Sequence, residues 1–204
     1  MKQWVSFFKD WSLTKTVVLQ QHYLNEILAN TSQNDKLLEI GAGSGFSSLA
    51  LSFSDRKNIV VSDFDPQILE NIKIAMPLIT ELIDMFNISK QDGSIDCIYH
   101  QGLMEHFSDN EIVNSLTEQA RVAKLIIFDV PNNRRWKKIQ EYGNERFLSV
   151  KKWIELINKA DLQTVKVTGR RFPKIFNYLP HFFQNNELIK RTFGTSSIFI
   201  CKKV

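Results

Sequence analysis

Apolar residues in this chain fall into short unbroken runs, separated by stretches that carry apolar positions at helical spacing. Short apolar runs bounded by glycine, proline or charged residues are typical of strands buried within a parallel sheet. The segment 162–168 alternates instead, as a half-buried strand does, and 78–85 alternates weakly. Together these segments predict seven strands, at 36–40, 58–62, 78–85, 95–100, 124–130, 162–168 and 196–203.

Helix signals lie between these strands. Proline is tolerated at the start of a helix, where Pro66 lies, and Ser108 or Asp109 can cap the next helix. The predicted helices cover 14–30, 46–53, a segment that begins at Pro66, 109–123 and 149–160. Because strands alternate with helices, we predict an α/β fold with a mostly parallel sheet and helices on both faces. A long aromatic segment joins the last two strands, so the final strand is expected to run antiparallel.

The chain has 204 residues, the usual size of one large domain, and no repeat or Pro/Gly/Ser-rich linker divides it. We predict a single domain over 1–204, with 1–30 as an N-terminal helical cap and 170–195 as an aromatic insertion near the substrate side. The aromatic residues of both parts have two interpretations. They cover a bound ligand as a lid, or they seal sheet edges or a dimer interface. The oligomeric state is not predicted.

Composition narrows the class of protein. The chain is 43% hydrophobic and 24% charged, as globular proteins are, and it contains no apolar run of about 18 residues, so no transmembrane helix is predicted. The N-terminus lacks the apolar segment of a signal peptide, and Cys97 and Cys201 lie inside apolar runs. These features indicate a cytoplasmic protein with reduced core cysteines. The net charge of +4 permits an acidic partner without requiring one.

The segment 37–51 carries the most informative pattern. A strand ends at Ile40, a G-x-G-x-G run follows, and a helix begins. Glycines allow positive φ and a close approach of the backbone to a ligand, and a helix N-terminus offers N–H groups without partners. Glu39 precedes the first glycine by two residues. Its negative charge would repel a diphosphate and would attract a ligand that carries an ammonium and a sulfonium. The alternative is an ordinary tight turn.

A carboxylate lies about twenty residues further along, where the second buried strand ends at Asp63. A carboxylate in this place can accept both hydroxyls of a ribose. An aspartate at a strand end can also simply cap the next helix. The order of Glu39, the three glycines and Asp63 favours the ligand site over that alternative.

At this point the chain resembles the class I methyltransferases that use S-adenosylmethionine (SAM), which have a Rossmann-like fold. LLEIGAGSG is similar to the family's first motif, and VVSDFDPQIL resembles its ribose-binding segment. The segment 79–109 is similar to the region from the adenine loop through the fourth strand. LIIFDVPNNRRW resembles the fifth strand and its exit, and 142–162 resembles a segment common in members that modify small molecules.

The resemblance implies a role for each matching residue of the cofactor site. The methionine part of SAM would be held by Glu39 and the loop of Gly41, Ala42, Gly43 and Gly45, with Gln101 facing the same end. Asp63 would bind the ribose and Phe64 would lie against the adenine. Asp84 would accept from the adenine amino group, and the backbone of Met85 would meet a ring nitrogen.

On the acceptor side we predict His106 as the catalytic base, because imidazole can remove a proton near neutral pH. A histidine that only bonds backbone at a helix start is the alternative. We also predict acceptor contacts by Trp11, Tyr142 and Arg146. No metal is predicted, because Gly102 stands four residues before His106, where a metal-binding subset of the family has an acid, and the histidines and cysteines lack zinc-like spacing.

Three functions remain open on these residues. The first is methyl transfer to an oxygen or nitrogen of a small-molecule acceptor. The second is methylation of RNA or protein, through basic clusters at 134–138 and 170–174, although solvated loops explain those clusters as well. The third is SAM binding without turnover. We expect a small-molecule acceptor as the partner, and we expect neither nucleic acid nor a membrane.

Overall fold

The computed structural model describes residues 13–133, 144–170, 186, 188–189 and 194–204. Its α-helices are α1 (Leu13–Asn30), α2 (Phe46–Ser52), α3 (Pro66–Ala75), α4 (Asp109–Val122) and α5 (Val150–Lys159). A 3₁₀ helix spans Met104–His106. The strands are β1 (Leu37–Glu39), β2 (Ile59–Asp63), β3 (Ile79–Leu82), β4 (Ile95–Gln101), β5 (Ala123–Pro131), β6 (Leu162–Arg170) and β7 (Ser196–Lys203).

The strands form one sheet of seven, in the order β3-β2-β1-β4-β5-β7-β6. Strands β1 to β5 run parallel to one another, whereas β7 runs antiparallel to both β5 and β6. This confirms the predicted fold class, including the antiparallel last strand. The chain moves outward from β1 to β3 and then returns to β4 on the other side of β1. Ligands of open α/β sheets bind at the carboxyl ends of strands at such a reversal.

Helices cover both faces of the sheet. On one face the core includes Leu116 of α4 and Trp153 of α5, and on the other it includes Tyr23 and Ile27 of α1 with Ile72 of α3. All five side chains are almost fully buried, which gives each helix an apolar face against the strands. None of the helices in the described part of the chain is long and apolar enough to cross a bilayer.

Local capping explains where the helices begin. The Ser108 side chain accepts the N–H of Glu111, whose carboxylate returns to the backbone of Ser108, so α4 starts with a capping box. The Ser149 side chain caps α5 by accepting the N–H of Lys152. Asp65 caps α3. These side chains place the turn that precedes each helix, and several of those turns border the site described next.

The prediction at 78–85 was too long, because β3 ends at Leu82. Beyond it, the carbonyl of Asp84 accepts the N–H of Asn87 at 3.0 Å, which closes a tight turn and ends the strand pairing. Asp84 and Met85 therefore lie in the loop that follows β3.

Candidate cofactor site

The glycine loop adopts a backbone that favours glycine at three positions. Gly41, Gly43 and Gly45 have φ values of 63°, 54° and 70°. A Cβ atom on Gly41 would lie 3.0 Å from the Leu103 side chain, and one on Gly45 would lie 3.1 Å from Ile72. The loop is thus packed closely between the exit of β4 and helix α3, and side chains at these two positions would force their neighbours to shift.

Asp63 connects this loop to the end of β2. Its Oδ2 accepts the N–H of Gly43 at 3.1 Å and its Oδ1 accepts the N–H of Asp65 at 3.0 Å. Burial raises the pKa of Asp63 and these backbone bonds oppose that rise. Each carboxylate oxygen has a further lone pair, so the group can also accept hydroxyl donors from a ligand.

A cavity of about 270 Å³ opens at the carboxyl edge of the sheet beside this carboxylate. Its lining is apolar apart from Asp63 and Asp84 and the backbone. Phe86 and Phe107 meet edge to face in the lining, with ring centroids 5.5 Å apart. The lining consists of Ile40, Gly41, Asp63, Phe64, Ile83, Asp84, Met85, Phe86, Leu103 and Phe107. Apolar walls with two carboxylates suit a flat aromatic base joined to a sugar.

The structure brings five of the predicted cofactor residues together in this cavity: Gly41, Asp63, Phe64, Asp84 and Met85. Asp84 is held there by its own turn, since its Oδ1 accepts the N–H of Phe86 at 2.9 Å. Sequence reasoning missed the other five lining residues, which are Ile40, Ile83, Phe86, Leu103 and Phe107. Leu103 and Phe107 flank the 3₁₀ helix that follows β4, and that position after a buried strand was the available signal.

Glu39 lies on the α1 side of the sheet and does not line this cavity. Its carboxylate accepts the hydroxyl of Ser48, and the Ser48 oxygen lies 2.5 Å from the hydroxyl of Tyr99. Burial raises the pKa of Glu39 to about 8, more than the hydrogen bonds from Ser48 lower it, and the nearby Asp63 adds to the rise. Glu39 is therefore buried within a hydroxyl network beneath the glycine loop.

Tyr99 and His100 point to opposite faces of β4, as successive residues of a strand do. His100 belongs to the α4 side of the sheet, where it stacks on Phe128 at 5.3 Å between centroids. Burial lowers the pKa of His100 to about 3. A histidine so placed is a neutral core residue at ordinary pH.

Gln101 ends β4 and turns its amide toward β5. Its Nε2 donates to Oδ2 of Asp129 at 2.8 Å, and the N–H of Gly102 donates to the Asp129 carbonyl at 3.0 Å. Gly102 itself has φ 64°. These two bonds hold the end of β4 and Gly102 against the end of β5. A contact of Gln101 with the cofactor stays a prediction.

His106 closes the 3₁₀ helix, and its Nδ1 lies 2.8 Å from Oδ1 of Asn144. An amide oxygen only accepts, so Nδ1 carries the proton of the neutral ring and Nε2 is the nitrogen that can take another. Arg146 holds the same segment in place: its guanidinium donates to the Phe107 carbonyl at 2.5 Å and pairs with Asp109 at 2.5 Å. An acceptor contact by Arg146 stays a prediction.

Two predicted acceptor contacts, Trp11 and Tyr142, lie outside the described residues, and so do most of the basic residues at 134–138 and 170–174. Across the described ranges, no group of three or more His, Cys, Asp or Glu side chains is arranged to hold a metal ion. The aromatic insertion predicted at 170–195 also falls largely outside those ranges.

Residues 37–125 match a family model described as a methyltransferase domain. The match runs from β1 to the start of β5 and contains the glycine loop, Asp63, Asp84 and His106. It confirms the resemblance that these motifs indicated. Comparison with curated protein sequences gives no match.

Several solved structures share the fold. A chain from the complex of the Haloferax volcanii Trm112 methyltransferase activator with a putative methyltransferase aligns over 98% of this chain and 97% of its own, with 18% identity and a TM-score of 0.73. A possible histamine N-methyltransferase from Thermotoga maritima covers 94% of each chain, with 17% identity and a TM-score of 0.68.

A third structure carries a bound product of the cofactor. It is the geranyl diphosphate C-methyltransferase of Streptomyces coelicolor, solved with Mg²⁺, geranyl diphosphate and S-adenosylhomocysteine. It shares 11% identity and a TM-score of 0.63 over 91% of this chain and 80% of its own. At these identities each likeness is one of fold.

Proposed function

We propose that this chain, in which residues 37–125 match a methyltransferase domain, is a SAM-dependent methyltransferase that methylates an oxygen or nitrogen of a small-molecule acceptor. One feature supports the cofactor assignment above all, namely the cavity in which Asp63 and Asp84 are the charged groups of an otherwise apolar lining beside the glycine loop. Two of the solved structures with this fold are a possible histamine N-methyltransferase and a geranyl diphosphate C-methyltransferase, and both named acceptors are small molecules. The described residues form one sheet and its helices.

In this proposal the adenine occupies the apolar lining, with Phe64 and Met85 against it and Asp84 accepting from its amino group. Asp63 accepts the ribose hydroxyls. The methionine part extends toward the glycine loop and Gln101, where Glu39 supplies a buried carboxylate beneath the loop. A cationic ligand above Glu39 would favour the ionised form of that carboxyl.

SAM supplies an activated methyl group, so much of the rate comes from alignment of the acceptor with the methyl carbon and the sulfur. With SAM bound, the acceptor's lone pair would form the new bond to the methyl carbon as the carbon–sulfur bond breaks, and S-adenosylhomocysteine would be the leaving group. We assign the proton lost by the acceptor to Nε2 of His106. The bond between Nδ1 and Asn144 supports this assignment, because it leaves the proton-accepting character on Nε2.

The first test is ligand binding. SAM or S-adenosylhomocysteine at a hundredfold excess over Kd should stabilise the folded chain by about 2.7 kcal/mol. Nicotinamide dinucleotides should give no comparable shift in the same thermal scan. Stabilisation by NAD and none by either adenosyl ligand would overturn the cofactor assignment.

The second test identifies the acceptor. The protein is incubated with methyl-labelled SAM and a cell extract, and the extract is separated into small molecules, RNA and protein before mass spectrometry. We expect the label in the small-molecule fraction. Label in RNA or protein would contradict the proposed acceptor class, and binding without any transfer would favour a SAM-binding protein that lacks turnover.

A further inference from the structure

The loop between β3 and β4, residues 83–94 and here called the adenine loop, contributes four residues to the cavity lining: Ile83, Asp84, Met85 and Phe86. This loop contains no helix, and a single β-bridge within it pairs Asp84 with Asn87. Such a loop takes its position from the surfaces around it. What holds it therefore decides where Asp84 and the Met85 backbone stand relative to a bound base.

One face of α4 provides that support. The Ser115 hydroxyl donates to the Met85 carbonyl at 3.4 Å, and Oε1 of Glu118 accepts the N–H of Ile88 at 2.8 Å. Arg121 donates to the carbonyls of Ile88 at 2.9 Å and Lys90 at 3.0 Å. The three helix residues are spaced three apart, so they lie on one side of α4 and address successive parts of the loop.

The two charged members of this face form a forked pair. Arg121 donates from Nε to Oε2 of Glu118 at 2.8 Å and from Nη2 to Oε1 at 2.7 Å. It also reaches Asp92 in the loop at 2.5 Å. The pairing holds the pKa of Glu118 below its usual range, so the carboxyl stays ionised. A planar guanidinium in two parallel bonds is fixed in direction, which a lysine could not reproduce.

We propose that the Glu118–Arg121 pair is a positioning element for the cofactor, which sets the adenine loop in its binding conformation without touching the ligand. Neither side chain lines the cavity. Both act through the backbone of Ile88 and Lys90, a few residues beyond Asp84 and Met85. The inference rests on the proposed placement of the SAM adenosine part in this cavity.

A purely structural role would have a different consequence. The Arg121 and Glu118 side chains keep 35% and 17% of their surface exposed, and partly exposed ion pairs contribute little to global stability. Helix α4 has its own apolar anchors in the buried Ile112, Leu116 and Val122, together with its capping box. Loss of the pair should therefore loosen the loop far more than it loosens the fold.

The test compares Arg121→Met with Lys124→Met. Lys124 forms a matched surface ion pair with Asp96 at 2.7 Å, near the start of β4 and thus at the opposite end of the strand from the cavity. Calorimetry gives the Kd of S-adenosylhomocysteine and of 5′-methylthioadenosine, which keeps the adenosine part and lacks the amino acid. We expect Arg121→Met to weaken both ligands alike, by about 2- to 30-fold, and Lys124→Met to leave both unchanged.

Hydrogen exchange supplies a readout that a global effect would not reproduce. In Arg121→Met, amides of residues 84–92 should exchange faster, while those of β4 and β5 keep their wild-type rates. Glu118→Gln keeps the size of the side chain and loses the charge, and it should shift binding in the same direction by less. It also decides the question if Arg121→Met does not fold.

Three outcomes would overturn the inference. Wild-type affinity in both α4 variants would remove the role in binding. Weakening of S-adenosylhomocysteine alone would place the effect at the methionine end. Faster exchange throughout the sheet would assign the pair to general stability. Wild-type protein that binds neither ligand would instead reject the cofactor assignment, and this inference with it.

Discussion

The candidate site has two halves that are built in different ways. The adenosine half is the cavity that contains Asp63 and Asp84, and the methyl-transfer half comprises Gln101, which ends β4, and His106, which follows that strand. In the adenosine half, the carboxylates of Asp63 and Asp84 accept N–H groups of their own turns, only two residues away, as well as that of Gly43. In the methyl-transfer half, each polar side chain pairs with one from another element. Gln101 bonds Asp129, 28 residues later, and His106 bonds Asn144, 38 residues later.

This difference predicts how each half responds to change. Bonds within the turns fix the carboxylates of Asp63 and Asp84, and α4 holds the adenine loop, so the adenosine half is preformed once α4 packs against that loop. The methyl-transfer half exists only once β5 and the segment at 144–146 have reached β4. Changes in the first half should act on cofactor affinity, and changes in the second on the transfer step.

The largest effect is expected at His106. If Nε2 removes the acceptor proton, His106→Ala should lower kcat by about 10²–10⁴ with SAM as methyl donor. The Kd of S-adenosylhomocysteine should stay near the wild-type value, because His106 is not among the cavity-lining residues. Steady-state rates with the acceptor from the labelling experiment, together with calorimetry, measure both quantities. Near-normal kcat at neutral pH would eliminate His106 as the base.

Glu39 should make stability depend on pH. Its pKa rises from 4.5 to about 8 on folding, so the folded chain holds a proton there that the unfolded chain releases above pH 4.5. Stability from this group is complete below that value and falls as the pH rises toward 8, by at most about 1.4 kcal/mol per pH unit.

Glu39→Gln keeps the shape of the side chain and an acceptor for Ser48, and it should lack this loss. Urea unfolding of both proteins at pH 5, 6, 7 and 8 gives the difference, in which the other titrating groups cancel. At each step to higher pH, the free energy of unfolding of the variant should increase relative to that of the wild type. Parallel stability profiles would show that Glu39 ionises normally in the folded chain.

Asp63→Ala tests the adenosine half directly. It removes the bonds to the glycine loop and the proposed ribose contacts, and should weaken S-adenosylhomocysteine binding by about 1.5–3 kcal/mol, roughly ten- to more than a hundredfold. Asp65→Ala is the control, since Asp65 caps α3 through the N–H of Gln67. It should cost about 0.5–2 kcal/mol of stability and leave the affinity unchanged. Equal affinities of the two variants would make Asp63 a structural cap.

The smallest effect is expected for Gly93→Ala, which is compared with Gly45→Ala in the glycine loop. Gly45 and Gly93 share positive φ, at 70° and 63°, but a Cβ at Gly93 would meet open space whereas one at Gly45 would crowd Ile72. Gly93→Ala should therefore cost only the backbone term, about 1–2 kcal/mol, and Gly45→Ala somewhat more. Denaturant midpoints at equal slope measure both. A larger loss at Gly93 would contradict the packing of the glycine loop against α3.

Short-range patterns in the chain predicted much of this architecture. Buried runs located the strands, and Ser108 and Ser149 marked helix starts, because each depends on residues within a few positions of one another. The strand ends followed by the glycine run and by Asp63 pointed to the edge of the sheet where the cavity lies. Asp84 and Met85 also lie in the cavity lining, although β3 is shorter than predicted, and their contacts to a cofactor stay a prediction. These features follow from backbone preference, capping and burial, which neighbouring residues determine.

Other properties depend on partners that are distant along the chain. No local pattern indicates that Gln101 turns to Asp129, that Asn144 orients the ring of His106, or that Leu103 covers Gly41. The same holds for the Glu118–Arg121 pair, because its spacing in the sequence is that of an ordinary ion pair on an exposed helix face. Only the tertiary structure shows that Arg121 bonds the adenine loop. Long-range side-chain pairing requires the assembled sheet, because strand order and helix packing decide which residues meet.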